Sequence, residues 1–360
     1  MKIQTNIILF LGIFVIIFYG CGKRSENFTL EDFKSTDKID GHVHYAIEKT
    51  YFMEQTIDDN FRLFTIDTDA EEFIDINEQE RIALLHKNAH PGKISYATTF
   101  KMEGWDNPDW VDKTIVNLDN SISKGAIAVK VWKNIGMTFK DKNGKFIMID
   151  DPKFYPIFKH LTEKGIPLVG HIGEPKNCWL PLEEMTVNND RDYFSKHPEF
   201  HMYLHPEYPS YETIVTARDN MLRKNPDLHF IGCHLASYEW SIEVLGKFFD
   251  EFPNSAVDLA HRIGHMQYLA LKDYENVRNF FIKYQDRFIY GSDTLPDGTE
   301  NPDEFKKNLH ETWLRDWRYF STGDIMTSPY LNEEFKGLGL PKTVVEKIFR
   351  INAQKWYPGI

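Results

Sequence analysis

The sequence predicts an α/β protein, a (β/α)8 barrel of the TIM type with a C-terminal helical extension. Two observations support this prediction. Eight short apolar runs alternate with amphipathic stretches along most of the 360 residues, which is the pattern of repeated parallel βα units. Polar residues of the kinds that bind metals follow or end four of these runs, and a barrel of parallel strands brings such ends to one face.

Each predicted strand is an apolar run that is bounded by turn residues. The eight runs are residues 38–44, 61–66, 93–100, 126–132, 166–171, 228–234, 256–259 and 287–291. The stretches between them predict helices at residues 78–88, 110–123, 155–164, 211–223, 241–252 and 274–284. A long connection, residues 172–210, follows the fifth strand, and connections of this length are often functional.

The first residues predict an export signal. Lys2 precedes a twelve-residue apolar stretch that ends at Phe18 and is followed by Gly20 and Cys21, an arrangement typical of signal peptides and too short for a comfortable membrane span. We therefore predict a lipoprotein signal over residues 1–21, lipidation of Cys21 and a tether over residues 22–37. An uncleaved anchor and plain secretion are the alternatives. This prediction places the protein at the cell envelope, held to the outer membrane or the periplasmic face by a lipid anchor.

The rest of the chain predicts one barrel domain, residues 38–296, and a helical extension, residues 297–360, that packs on it. The net charge of −12 argues against nucleic acid as a partner. The sequence contains no phosphate-binding loop, dinucleotide fingerprint or GxSxG elbow, so nucleotide and serine-hydrolase chemistry have no support. The expected partner is a small-molecule substrate, and the oligomeric state stays open.

Two cysteines, Cys178 and Cys233, lie beyond the signal region. An exported protein can oxidise such a pair to a disulfide. We predict two separate thiols, with the disulfide as the alternative.

Strand alternation predicts which residues face the barrel axis, because neighbouring side chains of a strand point to opposite sides. In the first and fourth strands, Ile39, Val43 and Ile127 are expected to face the helices. The predicted inner residues are Asp40, His42 and His44 in the first strand, Ala126, Ala128, Lys130 and Trp132 in the fourth, and Ile289, Gly291 and Asp293 in the eighth.

The pair His42 and His44 is the strongest indication of a metal site. Their Cα atoms would lie about 7 Å apart on one face of a strand, which lets both imidazoles bind one zinc-like ion at roughly 2.0–2.1 Å. His171 and Asp293 add a nitrogen and an oxygen, and Asp293 could also accept the proton of an attacking water. His234 ends the sixth strand. Taken singly, His171 and His234 could be hydrogen-bonded core histidines, and Asp293 a turn residue.

Lys130 has three interpretations, since a lysine inside a barrel is costly unless paired or neutralised. It could react with CO2 to form a carbamate that bridges two metals. It could form an ion pair with Asp293 or with a substrate carboxylate. Alternatively, it could extend to the solvent at the rim.

Three more residues are candidates for substrate binding. Glu174 could orient the substrate or a ligand histidine, or be a solvated loop residue. Arg262 could bind a substrate carboxylate through two parallel hydrogen bonds, or cap a helix end. Trp132 is a candidate because of its position at the rim.

These motifs together resemble the amidohydrolase superfamily, in its amidohydrolase-related branch. The matching segments are DGHVH, AVKVW, VGHIGEP, GCHLAS and YGSDTLP, between about residues 38 and 296, and IFRINA near the C-terminus. The resemblance implies a distorted barrel with one or two divalent metals, most simply zinc. It implies that His42, His44, His171 and Asp293 are ligands. His234 would bind a second metal or the substrate, and Lys130 matches a lysine that is carbamylated in binuclear members.

The resemblance implies an enzyme. Our first hypothesis is a metal-dependent hydrolase in which a metal-activated water attacks an amide, lactone or ester carbonyl. Asp293 would carry the proton, and His234 would steady the oxyanion. The alternative is a metal-dependent decarboxylase of a small carboxylic acid, in which Arg262 or Lys130 holds the carboxylate. A third hypothesis, from a different class, is a substrate-binding lipoprotein without turnover.

Overall fold

The computed structural model describes residues 27–71 and 73–360. Eight parallel strands form one sheet in the sequential order β1 to β8. Helices lie between the strands, and further helices follow the last strand. The predicted (β/α)8 barrel with a C-terminal helical extension is therefore confirmed, whereas the predicted signal peptide and Cys21 lie outside the described residues.

The strands carry the apolar runs that the sequence indicates, with shifts at their ends. Strand β2 coincides with its prediction, β7 is displaced by one residue, and the other six are shorter than predicted. All six end earlier than predicted, and five of them also begin one or two residues later. The strands are β1 Lys38–Val43, β2 Phe61–Ile66, β3 Ile94–Thr99, β4 Ala128–Val131, β5 Leu168–Gly170, β6 Phe230–Gly232, β7 Ser255–Asp258 and β8 Phe288–Ile289.

Six helices occupy the predicted positions between strands. They are Ile76–Ala89, Trp110–Ser123, Tyr155–Lys164, Tyr211–Lys224, Ile242–Glu251 and Tyr274–Lys283. Others lie at Tyr51–Asp58, Asn188–Lys196, Ile263–Lys272 and Pro302–Ser321. A short ribbon pairs Ile325–Met326 with Phe335–Lys336, and a last helical segment runs through Lys342–Glu346, a π-helical turn at Lys347–Ile351, and Asn352–Trp356. No helix in the described part of the chain has the length and hydropathy of a membrane span.

The barrel closes between β1 and the chain that follows β8. The backbone N–H of Asp293 donates to the carbonyl of His42 at 2.8 Å, and that of His44 donates to Thr294 at 2.9 Å. A parallel bridge also joins Val43 to Thr294. These contacts place residues of the first and last strands side by side at the barrel mouth.

The apolar core has two layers. An inner layer fills the barrel and includes Ile39, Phe64 and Ile289, against which Trp356 of the last helical segment and the adjoining Tyr357 pack. An outer layer lies between the strands and the helices. Both described cysteines, Cys178 and Cys233, are buried free thiols, which confirms the prediction of separate thiols.

At the start of β1, the predicted directions of the side chains are wrong. Ile39 lies in the inner layer, and the Asp40 carboxylate accepts a hydrogen bond from Trp313 of the C-terminal extension. The register of β1 shifts between Asp40 and Val43, and such a break reverses the alternation of side chains. His42 and His44 therefore face the site although Asp40 does not.

The alternation is also wrong at the start of the fourth predicted strand. Ala126 packs in an outer cluster with Tyr96, whereas Ile127 packs against the inner layer. Strand β4 begins only at Ala128, so residues before it do not follow its alternation. In β8 the prediction is confirmed for Ile289, which lies inside.

Candidate metal centre at the barrel mouth

The candidate site lies at the C-terminal ends of the barrel strands. The ring centroid of His42 lies 5.2 Å from that of His44 and 4.9 Å from that of His234. The ring of His171 lies 4.2 Å from that of His234. A cavity of about 420 Å³ opens onto His44, His171, His234 and Asp293. The fold thus brings together histidines from three strand ends and one carboxylate.

His42, His44 and Asp293 form one compact group of potential ligands. The Oδ1 atom of Asp293 lies 3.3 Å from Nε2 of His42 and 3.3 Å from Nε2 of His44. These three residues each offer a ligand atom within 4.8 Å of the others. Two nitrogens and one carboxylate oxygen at this spacing can bind a single divalent ion.

Hydrogen bonds on the far side of three rings aim their Nε2 atoms at the centre. His44 Nδ1 lies 2.9 Å from the carbonyl of Ile66, and His234 Nδ1 lies 2.9 Å from the carbonyl of Ala260. A carbonyl only accepts, so each Nδ1 carries the proton and each neutral ring presents the Nε2 lone pair. His42 Nδ1 contacts the carboxylate of Asp258 at 2.7 Å. This is how proteins orient metal-binding histidines.

Two of the histidine rings at this site carry buried nitrogens whose hydrogen-bonding capacity is not used by the described residues. Both ring nitrogens of His171, and Nε2 of His42, are buried without a hydrogen-bond partner in the described part of the chain. Buried polar atoms without partners are rare and need an explanation. The donor set of imidazole nitrogens and a carboxylate suits zinc and related divalent ions. The residues therefore fit a divalent ion held by His42, His44 and Asp293, with His171 beside them.

Burial and neighbouring charges set the protonation of these groups in the metal-free protein. Burial lowers the pKa of His42, but the carboxylates of Asp258 and Asp293 outweigh it and raise that pKa to about 10. Burial raises the pKa of Asp293, yet His42 and His234 hold it well below its usual range. Burial and the neighbouring His171 lower the pKa of His234 well below its usual value. His234 is therefore neutral at pH 7, and Asp293 is ionised.

His234 begins a turn of four consecutive residues in the left-handed conformation, with φ of 56°, 58°, 53° and 57°. This conformation costs roughly 1–2 kcal/mol for each residue other than glycine, so other contacts must hold the turn. The carboxylate of Asp258 accepts the His234 N–H at 2.7 Å. The buried Arg218 donates to the carbonyl of Ala236. The turn directs the His234 imidazole into the cavity.

The left-handed turn folds back on Gly232 at the end of β6. Replacing Gly232 by alanine is expected to lower the free energy of unfolding by about 1–3 kcal/mol, because the added Cβ would lie 2.5 Å from Cβ of Ala236. Gly323→Ala is the control, since its added Cβ meets only Lys336 Cε, at 3.6 Å. Urea denaturation measures both variants, and equal stability would contradict the prediction.

Lys130 is completely buried, which contradicts the interpretation that it extends to the solvent. Its Nζ donates to Sγ of Cys233 at 3.0 Å, so its hydrogen-bond partner is a thiol and not Asp293. His42, Cys233 and Asp258 also offer three ligand atoms within 4.8 Å. However, the Asp258 carboxylate is hydrogen-bonded to the His42 ring, and the Cys233 thiol is hydrogen-bonded to Lys130. These groups therefore already have partners within the protein. The carbamate on Lys130 remains a prediction.

The three substrate-binding candidates line the cavity with Phe73 and Lys133. Trp132 packs edge-on against His171 at 4.8 Å. Glu174 is buried and forms an ion pair with Lys133, so it is not a solvated loop residue. Arg262 Nη2 lies 3.9 Å from Glu174, and Arg262 Nε is buried without a partner among the described residues. Burial raises the pKa of Glu174, but Lys133 and Arg262 outweigh it and lower that pKa.

Asp258 is a site residue whose role the sequence analysis missed. One of its oxygens bonds the His42 ring and the other accepts the His234 N–H. Burial raises the pKa of Asp258, but His42 outweighs it and lowers that pKa to about 2. The sequence did contain a signal for this role. Asp258 ends strand β7, and the candidate ligands likewise end or follow other strands.

Comparison with solved structures supports the fold. Two structures of 2,6-dihydroxybenzoate decarboxylase, one of them from Rhizobium and the other in complex with 2,6-dihydroxybenzoate, are each 13% identical and cover 89% of this chain. The match covers 98% and 99% of those chains, with TM-scores of 0.52 and 0.53. A protein described as amidohydrolase II is 14% identical over 89% of this chain and 99% of its own, with a TM-score of 0.50. At these identities the similarity concerns the fold alone.

Comparison of sequences gives the family. No curated protein matches the chain significantly. The sequence profile of the family described as amidohydrolase matches residues 134–359, which include His171, His234 and Asp293. His42 and His44 precede the matched part, and it is the folded chain that brings them to Asp293. The chain therefore belongs to the amidohydrolase family.

Proposed function

We propose that this protein is a metal-dependent hydrolase that acts on the carbonyl of a small amide, lactone or ester. The observation that carries the proposal is the convergence of Nε2 of His42 and His44 on Asp293 Oδ1, beside a His171 ring without hydrogen-bond partners in the described structure. A divalent ion bound there, for which zinc is our candidate, would polarise the carbonyl and activate water.

The hydrogen bonds of His234 change the role that we propose for it. With its proton on Nδ1, shared with Ala260, the neutral ring presents an acceptor to the cavity. An oxyanion needs a donor, so this ring is unsuited to the role of steadying it. We propose instead that Nε2 of His234 accepts a proton from the attacking water or the substrate, while the ionised Asp293 serves as a ligand and a second acceptor.

The second candidate function is decarboxylation of a small carboxylic acid. It is favoured by Arg262 and Lys133, whose cationic groups lie at the cavity and could hold a carboxylate. The solved structures of similar fold include a decarboxylase by name. Assays that follow both CO2 release and the hydrolysis of esters, lactones and amides separate the two functions. Tight binding without any turnover would leave the third candidate, a substrate-binding lipoprotein.

We also propose that the protein is exported and anchored in the cell envelope through Cys21. The support is the apolar stretch and the Gly20-Cys21 junction in the sequence. Mass spectrometry of the membrane fraction tests this proposal. An N-terminus at Met1, or a mature chain without acyl groups, would contradict it.

The metal content of the soluble fragment that lacks residues 1–21, purified without chelators, tests the proposed centre. We expect at least one equivalent of metal per chain. Two equivalents in the wild type, falling to one in Lys130→Met, would support a bridging carbamate on Lys130. One equivalent in both proteins would argue against the carbamate and would support a lysine side chain that is hydrogen-bonded to Cys233. No metal, even after its addition, would contradict the proposed function.

A further inference from the structure

The closure of the barrel holds three of the candidate ligands. His42 lies in β1 and His44 directly follows that strand, and Asp293 lies in the chain after β8, where its N–H donates to the carbonyl of His42 at 2.8 Å. The register of β1 breaks between Asp40 and Val43. This irregularity is in the pairing of β1 with β2 and lies next to His42, whose ring would bind the ion.

The side chain of Asp40 contacts both strand ends at the closure of the barrel. Its Oδ1 accepts the backbone N–H of Ser292 at 2.9 Å and that of His42 at 3.3 Å. One of these amides belongs to a candidate ligand, and the other directly precedes Asp293. One carboxylate oxygen therefore ties together the two strand ends that carry the ligands, beside the backbone hydrogen bonds that join Gly41 to Tyr290 and Asp293 to His42.

Trp313 of the C-terminal helix Pro302–Ser321 holds the other oxygen of Asp40. Its Nε1–H donates to Asp40 Oδ2 at 2.9 Å. The indole is completely buried and stacks on Phe61 with ring centroids 4.1 Å apart, so the position of the donor is fixed. Asp40 is itself fully buried, and a buried carboxylate oxygen that loses its donor is penalised strongly.

We propose that Trp313 is a positioning residue of the metal centre. It acts through Asp40, whose orientation sets the spacing of His42 and Asp293. The inference rests on the proposed function, and it assigns the C-terminal extension a part in metal binding. The physical reason is that outer partners fix the direction of ligands, and their loss typically weakens metal affinity by about 10- to 100-fold.

The test compares Trp313→Phe with Trp317→Phe. Trp317 lies one turn further along the same helix and is equally buried, but its Nε1–H donates to the carbonyl of Thr29 at 3.2 Å, away from the site. Zn²⁺ is removed from each protein and titrated back against a chromogenic chelator. We expect Trp313→Phe to bind Zn²⁺ about 10- to 100-fold more weakly, and Trp317→Phe to stay within about twofold of the wild type.

Two further measurements make the result specific. The Co²⁺ absorption spectrum is expected to change in Trp313→Phe and not in Trp317→Phe, because it reports ligand geometry. Asp40→Asn is expected to weaken Zn²⁺ binding as well, and the double variant to lose less than the sum of the single losses, since both changes act on one contact.

The outcomes separate this inference from the function on which it rests. Equal Zn²⁺ affinity of wild type, Trp313→Phe and Trp317→Phe would overturn the inference alone. Lower melting temperatures in both variants with unchanged affinity would also overturn it, since they would show a structural role only. A wild type that takes up no Zn²⁺ would overturn the proposed function and this inference together.

Discussion

Replacement of Asp293 by asparagine is expected to weaken Zn²⁺ binding by at least about 100-fold, more than the loss of an outer partner does, and to abolish turnover. The carboxylate lies 3.3 Å from the Nε2 atoms of both His42 and His44, and it supplies the negative charge of the predicted ligand group. A neutral amide is a poorer ligand and cannot accept a proton from water. Metal analysis after dialysis, together with turnover on the substrate that the assays identify, measures both effects.

Asp297→Asn is the matched control for this substitution. Asp297 lies in the same loop after β8, but it is exposed and bonds Thr299. We expect its variant to keep full metal content and activity. An Asp293→Asn protein with one equivalent of metal and normal turnover would remove Asp293 from both proposed roles.

Replacement of Asp258 by asparagine is expected to weaken Zn²⁺ binding by about 10- to 100-fold. The carboxylate accepts a hydrogen bond from Nδ1 of His42 at 2.7 Å, so the ring keeps its proton on Nδ1. Once Nε2 is deprotonated, its lone pair is free to bind an ion. An asparagine could turn its amide N–H toward Nδ1 and favour the wrong tautomer. Zn²⁺ titration of the metal-free variant measures the loss.

A second buried pair of aspartate and histidine supplies the control. Asp190 Oδ2 lies 3.1 Å from Nε2 of His265, and neither residue belongs to the predicted ligand group. Asp190→Asn removes the same kind of contact and is expected to leave Zn²⁺ affinity unchanged. Equal losses in Asp190→Asn and Asp258→Asn would contradict the assigned role of Asp258.

The pair His42 and Asp258 makes the stability of the metal-free protein depend on pH. The pKa of His42 is raised from 6.5 to about 10, so its contribution is complete below pH 6.5 and is lost as the pH rises through about 10. The pKa of Asp258 is lowered from 3.8 to about 2, so its contribution is present above pH 3.8 and is lost as the pH falls through about 2. Urea denaturation from pH 5 to pH 10 should show a decline on the alkaline side that is smaller in Asp258→Asn.

Much of the architecture could be predicted because it depends on local patterns. Strand β2 and the helices Trp110–Ser123 and Tyr155–Lys164 have the predicted ends, since the periodicity of apolar residues and the turn residues around them define such elements. The predicted ligands also meet at one face, because parallel strands of one barrel share the direction of their C-terminal ends.

The details of the candidate site depend on contacts that periodicity does not contain. The bulge after Asp40 reverses the direction of side chains within one strand, and His234 lies in a left-handed turn that no strand pattern indicates. Lys130 was open to three interpretations from its position, and the fold placed it against Cys233, 103 residues away. Each of these outcomes depends on which distant segment packs beside the residue.

The barrel and the residue types at its mouth can be predicted from the sequence, because they follow from local periodicity and side-chain chemistry, and the motifs at the strand ends carry the resemblance to metal-dependent enzymes. Which atoms face one another becomes visible only in the folded chain. His42 meets Asp258 across 216 residues of sequence, and Asp40 meets Trp313 across 273. The register at barrel closure and the docking of the C-terminal helix set these contacts, since they are properties of the folded chain as a whole.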